Sequence, residues 1–232
     1  MVGKGITDSL RNRGFESFCN VNSLSLLKVR GQVEELIADF GPDYIFLTAG
    51  PSGGIAANTK FPAELLHDNL IIECNVIHLA HKYGVKKLLY FASSCCYPKH
   101  CPQPMHPSSL MSGPLEPSSD SYAIAKLAGI KLCQAYRREY GSNFISVIPS
   151  DIFGPGDEFH PDYSHVIPGL IRRMHEAKVL GISSVKVWGS GLPERDFIFV
   201  DDLVEACLLA MYEFDDSEPL NIGGGGHTSI AE

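Results

Sequence analysis

The sequence predicts an α/β fold in which helices cover both faces of a doubly wound parallel sheet. Short apolar runs of the kind found in buried parallel strands alternate with longer segments of helical periodicity. Turns rich in glycine and proline separate the two kinds of segment, as at Gly50 and Pro51. The chain has 232 residues and 44% hydrophobic content, which is enough for one large core or for one domain with a small second lobe.

The N-terminal segment begins with a helix, whereas a doubly wound fold normally begins with a strand and a glycine-rich turn. Residues 7–13 are predicted as this helix and residues 15–22 as a short strand. The chain starts close to Gly3, which we interpret as the last glycine of such a turn. We therefore expect the first strand of the sheet to be missing.

Three strands and three helices are predicted for the centre of the chain. The strands are residues 44–49, 87–92 and 144–149, and the helices are residues 29–40, 62–83 and 120–140. Residues 98–120 are rich in proline and serine and are predicted as an irregular, lid-like insertion. Gly50, Gly53 and Gly54 follow the first strand, where open α/β sheets bind ligands, although an ordinary turn has the same composition.

The last third of the chain changes character after residue 155. A helix with several basic residues, a second helix that begins near Asp201 and a short strand over residues 220–222 are predicted there. We interpret residues 1–155 as a sheet-containing first domain. Residues 156–232 are interpreted as part of a small C-terminal lobe that is interleaved with the first domain.

Charge and hydropathy argue against two classes of partner. The formal net charge is −8, from 19 basic and 27 acidic side chains, and no basic run is present, so neither nucleic acid nor an anionic membrane is a predicted partner. No apolar run approaches the ~18 residues that a membrane-spanning helix needs. No signal-peptide pattern opens the chain, and we therefore expect a cytoplasmic protein.

The cysteines and histidines predict no metal site. Seven cysteines, an odd number scattered over helices and strands, are typical of reduced thiols in the cytoplasm. Cys95, Cys96 and Cys101 are close in sequence but lack the spacing of a zinc site. His78 and His81 are three residues apart on a predicted helix, yet no further ligand completes a metal-binding set.

The strongest chemical signal is a Tyr-x-x-x-Lys pair formed by Tyr122 and Lys126. On a helix this spacing places the lysine one turn beyond the tyrosine, on the same face. A phenol titrates near pH ~10 in water, and a neighbouring ammonium lowers that pKa toward neutrality. Ser93, at the end of a predicted strand, supplies a hydroxyl that can steady an oxygen whose charge changes. These three residues predict a site of proton transfer.

Around this pair the sequence resembles the extended short-chain dehydrogenase/reductase superfamily and, within it, the GDP-L-fucose synthase family. The matching segments are residues 93–99 (SSCCYPK), 103–105 (QPM), 122–133 (YAIAKLAGIKLC), 159–161 (FHP), 164–168 (SHVIP) and 187–191 (VWGSG). The resemblance extends from Gly3 to Ile230 and is stronger after Pro42. It implies a Rossmann-like α/β domain, over residues 1–155, that binds NADP, and a small substrate lobe.

The family's activity implies a role for each matching side chain. NADPH-dependent enzymes of this family epimerise GDP-4-keto-6-deoxy-D-mannose at C3 and C5 and reduce it at C4. The resemblance implies Ser93, Tyr122 and Lys126 as the catalytic groups of the reduction, with Cys95 and His165 as the acid and base of the epimerisation. The residues that match GDP-sugar positions are Arg173, Trp188 and Arg195.

The implied NADPH site and homodimer involve larger surfaces. The residues implied for the cofactor are Gly3, Ala92, Ser93, Ser94, Tyr122, Lys126, Pro149, Ser150, Asp151, Ile152 and His165. The cofactor carries the hydride chemistry and the protein orients it. Family members form homodimers through their two long helices, which implies pairing through residues 62–83 and 120–140 here.

Several positions depart from the family pattern and leave alternatives open. The first strand and the early glycines of the glycine-rich turn are absent, and Cys19, Val21 and Lys28 stand where residues that meet the adenine half of the cofactor are expected. Asp151 stands where the family usually has asparagine, and the far part of the substrate lobe is absent. One alternative is therefore a truncated, catalytically impaired homologue that acts as a subunit or binding module. A related nucleotide-sugar epimerase is the other, although its chemistry needs no cysteine–histidine pair.

Overall fold

The computed structural model describes all residues, 1–232, and contains eight strands and eight α-helices. The strands are β1 (Tyr44–Leu47), β2 (Lys87–Phe91), β3 (Phe144–Pro149), β4 (Asp151–Phe153), β5 (Glu194–Arg195), β6 (Phe197–Phe199), β7 (Leu220–Ile222) and β8 (Thr228–Ser229). The helices are α1 (Val2–Asn12), α2 (Leu24–Lys28), α3 (Arg30–Phe40), α4 (Ile55–Lys60), α5 (Pro62–Lys82), α6 (Asp120–Tyr140), α7 (Val166–Leu180) and α8 (Val200–Glu213). Two short 3₁₀ turns lie at Ser94–Cys96 and Pro107–Ser109.

Four parallel strands form the central sheet, in the order β1–β2–β3–β7. β2 and β3 are buried along their whole length, which is why both are continuous apolar runs and not alternating ones. Parallel neighbours need a crossover connection, and α5 and α6 provide those from β1 to β2 and from β2 to β3. The predicted strands of this region are therefore present, each within two residues of its expected end.

Helices cover both faces of the sheet, and each face has its own hydrophobic core. Leu88 and Tyr90 of β2 point into a core of 20 buried residues shared with α3, α5 and α6. Leu89 and Phe91, the alternate residues of the same strand, point into a core of 13 buried residues shared with α1 and α8. This arrangement confirms the predicted α/β fold with a doubly wound parallel sheet.

The N-terminal region differs from the prediction in one strand. The strand predicted at residues 15–22 is wrong, because these residues form no strand and Phe15 is 59% exposed. A strand is stable only when its backbone groups pair with a neighbour. β1 ends the sheet and is paired only with β2, so the segment has no partner strand beside it.

The first helix begins at Val2, five residues before the predicted start, although Gly3 and Gly5 lie in its first turns. A Cβ atom on Gly3 would lie 2.9 Å from the Thr48 hydroxyl oxygen, and one on Gly5 would lie 2.8 Å from a Val204 methyl group. In an isolated helix, glycine is less favourable than alanine. Here it lets α1 pack closely against β1 and α8, so tertiary packing outweighs propensity.

After β3 the chain leaves the central sheet and later returns to it. Residues in between form α7 and the strands β4, β5 and β6, of which β4 and β6 form a small parallel sheet. β5 pairs antiparallel with β8, which follows β7. α8 then packs beside α1, and β7 pairs with β3. The functional division of the chain at residue 155 stays a prediction. No helix of the structure is both long enough and apolar enough to cross a membrane.

Candidate active site

The carboxyl end of β2 places Ser93 at the site. The 3₁₀ turn Ser94–Cys96 follows at once, and the Ser93 hydroxyl oxygen accepts a hydrogen bond from the Cys95 amide at 3.4 Å. This cap fixes the start of the turn. The turn packs against α6, whose first turn carries Tyr122, and the Ser93 hydroxyl lies close enough to the Tyr122 phenol to influence its ionisation.

Lys126 lies one helical turn after Tyr122, as the spacing predicts. Its ammonium nitrogen is 5.9 Å from the centre of the Tyr122 ring and 5.0 Å from the centre of the Tyr90 ring. The side chain is only 7% exposed, and its ammonium donates a hydrogen bond of 3.0 Å to Glu73. The structure therefore brings Ser93, Tyr122 and Lys126 together at the end of β2.

Glu73 is a member of this site that the sequence did not reveal. It lies in the middle of α5, is 1% exposed, and its Oε1 atom accepts hydrogen bonds from Lys126 and, at 2.6 Å, from the Tyr90 hydroxyl. Burial raises the pKa of Glu73, and its two hydrogen-bond donors oppose the rise. One signal was available: Asn69 and Glu73 occupy the same helical face as Val76, so two polar residues interrupt an otherwise apolar stripe.

The acidity of Tyr122 differs from the expectation. Burial is the main influence and raises the pKa of the phenol, two neighbouring thiols and Glu73 raise it further, and the Ser93 hydroxyl lowers it. Lys126, whose ammonium is paired with Glu73 at 3.0 Å, is not among the main influences on this pKa. Tyr122 is therefore kept protonated, which is the form that can donate a proton.

The two adjacent cysteines of the turn have different surroundings. Cys95 is half-buried, beside Tyr122, whereas Cys96 is fully buried and its sulfur lies 3.8 Å from the Ala123 carbonyl oxygen. Burial raises the pKa of Cys96 to about 12. Of the two thiols, only Cys95 is accessible for proton exchange with a ligand.

His165 lies at the start of α7, at the end of the loop that precedes this helix. Its imidazole is exposed and makes no hydrogen bond within the chain. The loop is held by the Gly54 amide, which donates to the Tyr163 carbonyl at 3.2 Å, and by a Lys60–Asp162 ion pair of 2.7 Å. The structure thus presents His165 on an anchored loop next to the glycines that follow β1.

Asp151 connects this loop to one of the predicted substrate residues. Its carboxylate is 3.6 Å from Nε of Arg195. Burial raises the pKa of Asp151, and the positive charges of Arg195 and His165 oppose that rise. Asp151 therefore lies within the electrostatic reach of both side chains.

The other two predicted substrate residues contact each other on α7 and the loop after it. The Arg173 guanidinium lies 5.5 Å from the centre of the Trp188 ring, and it donates hydrogen bonds to the backbone carbonyls of Gly169 and Lys186. Trp188 is 62% exposed. Both line an open hollow of about 300 Å³. A planar cation stacked on an indole suits a ligand that has an anionic group beside a flat ring.

The predicted cofactor residues lie at the carboxyl ends of the central strands. Ala92, Ser93 and Ser94 follow β2, Pro149 ends β3 and Ser150 follows it. The remaining residues of that set lie in β4, in α6, at the N-cap of α7 and in the first turn of α1. The Ser150 hydroxyl oxygen is buried and has no hydrogen-bond partner in the chain. An unpaired buried hydroxyl and the free amides of a helix N-terminus are features that fit a nicotinamide dinucleotide.

The two histidines of α5 have structural partners. His78 pairs with the Tyr136 hydroxyl at 2.7 Å, and His81 pairs with the Ser142 hydroxyl at 3.0 Å. His81 also stacks on Tyr140, with ring centres 4.3 Å apart. These contacts join α5 to α6.

Comparisons with known proteins agree with this geometry. The model of the NAD dependent epimerase/dehydratase family matches residues 1–223. The chain is 46% identical over its whole length to GDP-L-fucose synthase 1 of Arabidopsis thaliana, of which it covers 72%. It is 44% identical over its whole length to GDP-L-fucose synthase of Escherichia coli (strain K12), of which it covers 75%.

Solved structures give the same result. A GDP-L-fucose synthetase from Naegleria fowleri bound to NADP has a TM-score of 0.89 and 27% identity, over 99% of this chain and 71% of that one. A GDP-D-glycero-L-gluco-heptose synthase from Campylobacter jejuni, solved in the presence of NADPH, has a TM-score of 0.88 and 29% identity, over 100% of this chain and 79% of that one. The chain therefore belongs to the NAD dependent epimerase/dehydratase family and, within it, to the group of the GDP-L-fucose synthases.

Proposed function

We propose that this chain converts GDP-4-keto-6-deoxy-D-mannose to GDP-L-fucose by NADPH-dependent 3,5-epimerisation and 4-reduction. The observation that carries the proposal is the joint placement of Ser93, Tyr122, Lys126 and the accessible Cys95 at the end of β2. A reductase needs the first three of these groups, and an epimerase needs a proton-exchanging pair as well. The 44–46% identity to GDP-L-fucose synthases favours this activity over that of other nucleotide-sugar epimerases.

The reduction depends on Tyr122. The protonated phenol donates its proton to the oxygen on C4, and the Ser93 hydroxyl donates a hydrogen bond that steadies the same oxygen. Lys126 lies beneath the tyrosine and stabilises the phenolate that remains. NADPH, when bound, supplies the hydride to C4.

The epimerisation depends on Cys95 and His165. The C4 ketone acidifies the protons on C3 and C5, because the carbanion left behind delocalises into an enolate. One residue removes such a proton, and the other delivers a proton to the opposite face of the sugar carbon. Cys95 is beside Tyr122, so the exchange takes place next to the group that acts in the reduction.

Binding of the two nucleotides uses different sets of residues. Ser150 and the cofactor residues around β2, β3 and the N-terminus of α1 would hold NADPH, and backbone amides at a helix N-terminus suit its pyrophosphate. Arg173, Trp188 and Arg195 hold the GDP-sugar, since guanidinium groups donate paired hydrogen bonds to a diphosphate and the indole packs on a flat base.

The proposal includes a cytoplasmic homodimer. All seven cysteines are free, which fits a reducing compartment. α5 and α6 pack side by side, and α6 carries the exposed side chains of Ile124 and Tyr140, at 49% and 55% exposure. A second copy packed on these side chains would bury them, and light scattering on the purified chain would give the mass of two copies.

The test measures the epimerisation and the reduction separately. Deuterium uptake at C3 and C5, followed by NMR, reports proton exchange, and NADPH oxidation reports reduction. Cys95→Ser and His165→Ala should each abolish deuterium uptake, and Cys95→Ser should still bind NADPH, titrated by fluorescence. Tyr122→Phe should abolish NADPH oxidation and still permit deuterium uptake.

Two outcomes would reject the proposal. The first is a folded wild-type chain that does not bind NADPH, because such a chain cannot reduce the sugar. The second is loss of NADPH binding in the Cys95 variant, because this residue is assigned to the sugar and not to the cofactor.

A further inference from the structure

A carboxylate is buried directly beneath the Tyr122–Lys126 pair. Glu73 is 1% exposed, and one of its oxygens accepts hydrogen bonds from both the Lys126 ammonium and the Tyr90 hydroxyl. Removing a carboxylate from water costs several kcal/mol unless partners compensate it. Both neighbours of this oxygen are donors, which favours an ionised carboxylate paired with a lysine. Burial acts in the opposite direction, since it raises the pKa of Glu73, and the second oxygen, Oε2, is buried without a hydrogen-bond partner.

The surrounding elements leave room for this arrangement. A Cβ atom on Gly129 of α6 would lie 2.3 Å from the Tyr90 hydroxyl oxygen, so only glycine lets Tyr90 reach Glu73. A Cβ atom on Gly50, after β1, would lie 3.5 Å from the Lys126 nitrogen and 2.3 Å from the Asn69 amide oxygen. Glycines on two separate elements therefore border the buried group.

Glu73 restricts the position of Lys126. A lysine has four flexible side-chain bonds and three N–H donors. One donor is used by Glu73, and the other two make no hydrogen bond within the chain. The salt bridge therefore holds the ammonium under Tyr122 while it leaves two donors available to ligands.

Glu73 also acts on the charge of Tyr122. The groups that influence this phenol are the thiols of Cys95 and Cys96 from the 3₁₀ turn, the Ser93 hydroxyl and the Glu73 carboxylate from α5. Negative charge at Glu73 disfavours the phenolate and adds to the effect of burial in raising the pKa of Tyr122. The result is a phenol that retains its proton until a substrate oxygen accepts it.

We propose that Glu73 is a positioning residue of the reduction: it fixes Lys126 beneath Tyr122 and keeps Tyr122 in the proton-donating form. This inference rests on the proposed function, in which Tyr122 protonates the sugar oxygen. Glu73 acts only through its two neighbours and has no part in the exchange at C3 and C5.

Glu73→Gln is the decisive variant, since it keeps the shape of the side chain and removes its charge. Single-turnover reduction should slow ~10- to 100-fold because Lys126 is less firmly placed. The alkaline limb of its pH profile should move to lower pH by about one unit, because a negative charge near the phenol is lost. Deuterium uptake at C3 and C5 should stay at the wild-type rate.

Tyr90→Phe and Glu73→Asp are the matched controls. Tyr90→Phe removes one hydrogen bond to Glu73 but keeps the charge, so its alkaline limb should coincide with that of the wild type. Glu73→Asp keeps the charge but withdraws it by one methylene, so its rate should fall while its alkaline limb stays in place. The aspartate variant keeps the inference testable if Glu73→Gln does not fold.

An assay without turnover separates this inference from the proposed function. NMR of isotope-labelled tyrosine, with Tyr122→Phe to assign the signal, follows the ionisation of Tyr122 in the free protein. The signal should titrate at lower pH in Glu73→Gln than in the wild type. The inference would be overturned if Tyr122 titrated at the same pH in both proteins, or if Glu73→Gln changed neither the alkaline limb nor the rate of reduction. A wild type in which Tyr122 titrates as expected but which does not reduce the sugar would overturn only the proposed function.

Discussion

Gly129 of α6 packs so closely on Tyr90 of β2 that a Cβ atom on the glycine would lie 2.2 Å from the ring carbon that bears the hydroxyl. The helix therefore crosses the strand at a residue without a side chain. This crossing sets the distance between α6, which carries Tyr122 and Lys126, and the end of β2, which carries Ser93. The geometry of the candidate site consequently depends on a packing contact outside it.

Gly129→Ala should destabilise the chain. Tyr90 is fully buried and cannot move aside without disturbing the core, and overpacking of this kind costs about 1–3 kcal/mol. Gly31→Ala is the matched control, because a Cβ atom on this helical glycine meets no atom within 4 Å and alanine favours a helix. Urea unfolding at neutral pH measures both variants, and equal midpoints would contradict the close contact.

Lys87→Met should also lower the free energy of unfolding. The Lys87 ammonium is buried and donates hydrogen bonds to the carbonyl oxygens of Ala210, at 3.2 Å, and Phe214, at 2.6 Å, at the end of α8. Methionine leaves both carbonyls without this donor, at a cost of about 1–3 kcal/mol. Lys86→Met, next to it, removes only an exposed ion pair with Asp43 and should change the urea midpoint little.

Alkaline pH should destabilise the chain because three buried thiols resist ionisation. Burial raises the pKa of Cys96, Cys133 and Cys207 from 9.0 to about 12. Between these values the unfolded chain releases three protons that the folded chain retains, so the free energy of unfolding falls as pH rises. Urea unfolding over a pH series should show this decline. Cys207→Ala should have a lower free energy of unfolding at neutral pH, but that free energy should fall less steeply as the pH rises. An unchanged slope would show that Cys207 does not contribute to the decline.

Alkylation should distinguish the adjacent cysteines of the 3₁₀ turn. The reactive species is the thiolate, and reaction requires access. Cys95 is half-buried, whereas Cys96 is fully buried with a pKa raised to about 12. Iodoacetamide should therefore label Cys95 well before Cys96, as read from the masses of the peptides. Simultaneous labelling of both cysteines in folded protein would show that the turn opens and that the proposed asymmetry is incorrect.

The sequence predicted the parts of the fold that depend on long apolar patterns. β2, β3, α5 and α6 lie close to their predicted bounds, because their buried faces determine both the pattern and the structure. The spacing of Tyr122 and Lys126 also predicted their placement on one helical face. Contacts between elements distant in sequence leave no local pattern from which they could be predicted.

Two differences illustrate that limit. Residues 15–22 have a strand-like composition, but a strand also needs a neighbour, which the sequence does not reveal. Glu73 is 53 residues from Lys126 in sequence, so no local pattern could pair them, and the acidity of Tyr122 was misjudged as a result. Burial and charge at a site are properties of the whole fold.

The late return of the chain to its central sheet has a consequence for its synthesis. β3 obtains its second neighbour from β7, at Leu220–Ile222, and the face covered by α1 and α8 stays open until α8 exists. While the ribosome is still making the preceding lobe, the nascent chain therefore carries an apolar sheet face and an unpaired β3 edge. Its vulnerable period in the cell extends until β7 has been translated, and chaperones that recognise exposed apolar surface would act in that period.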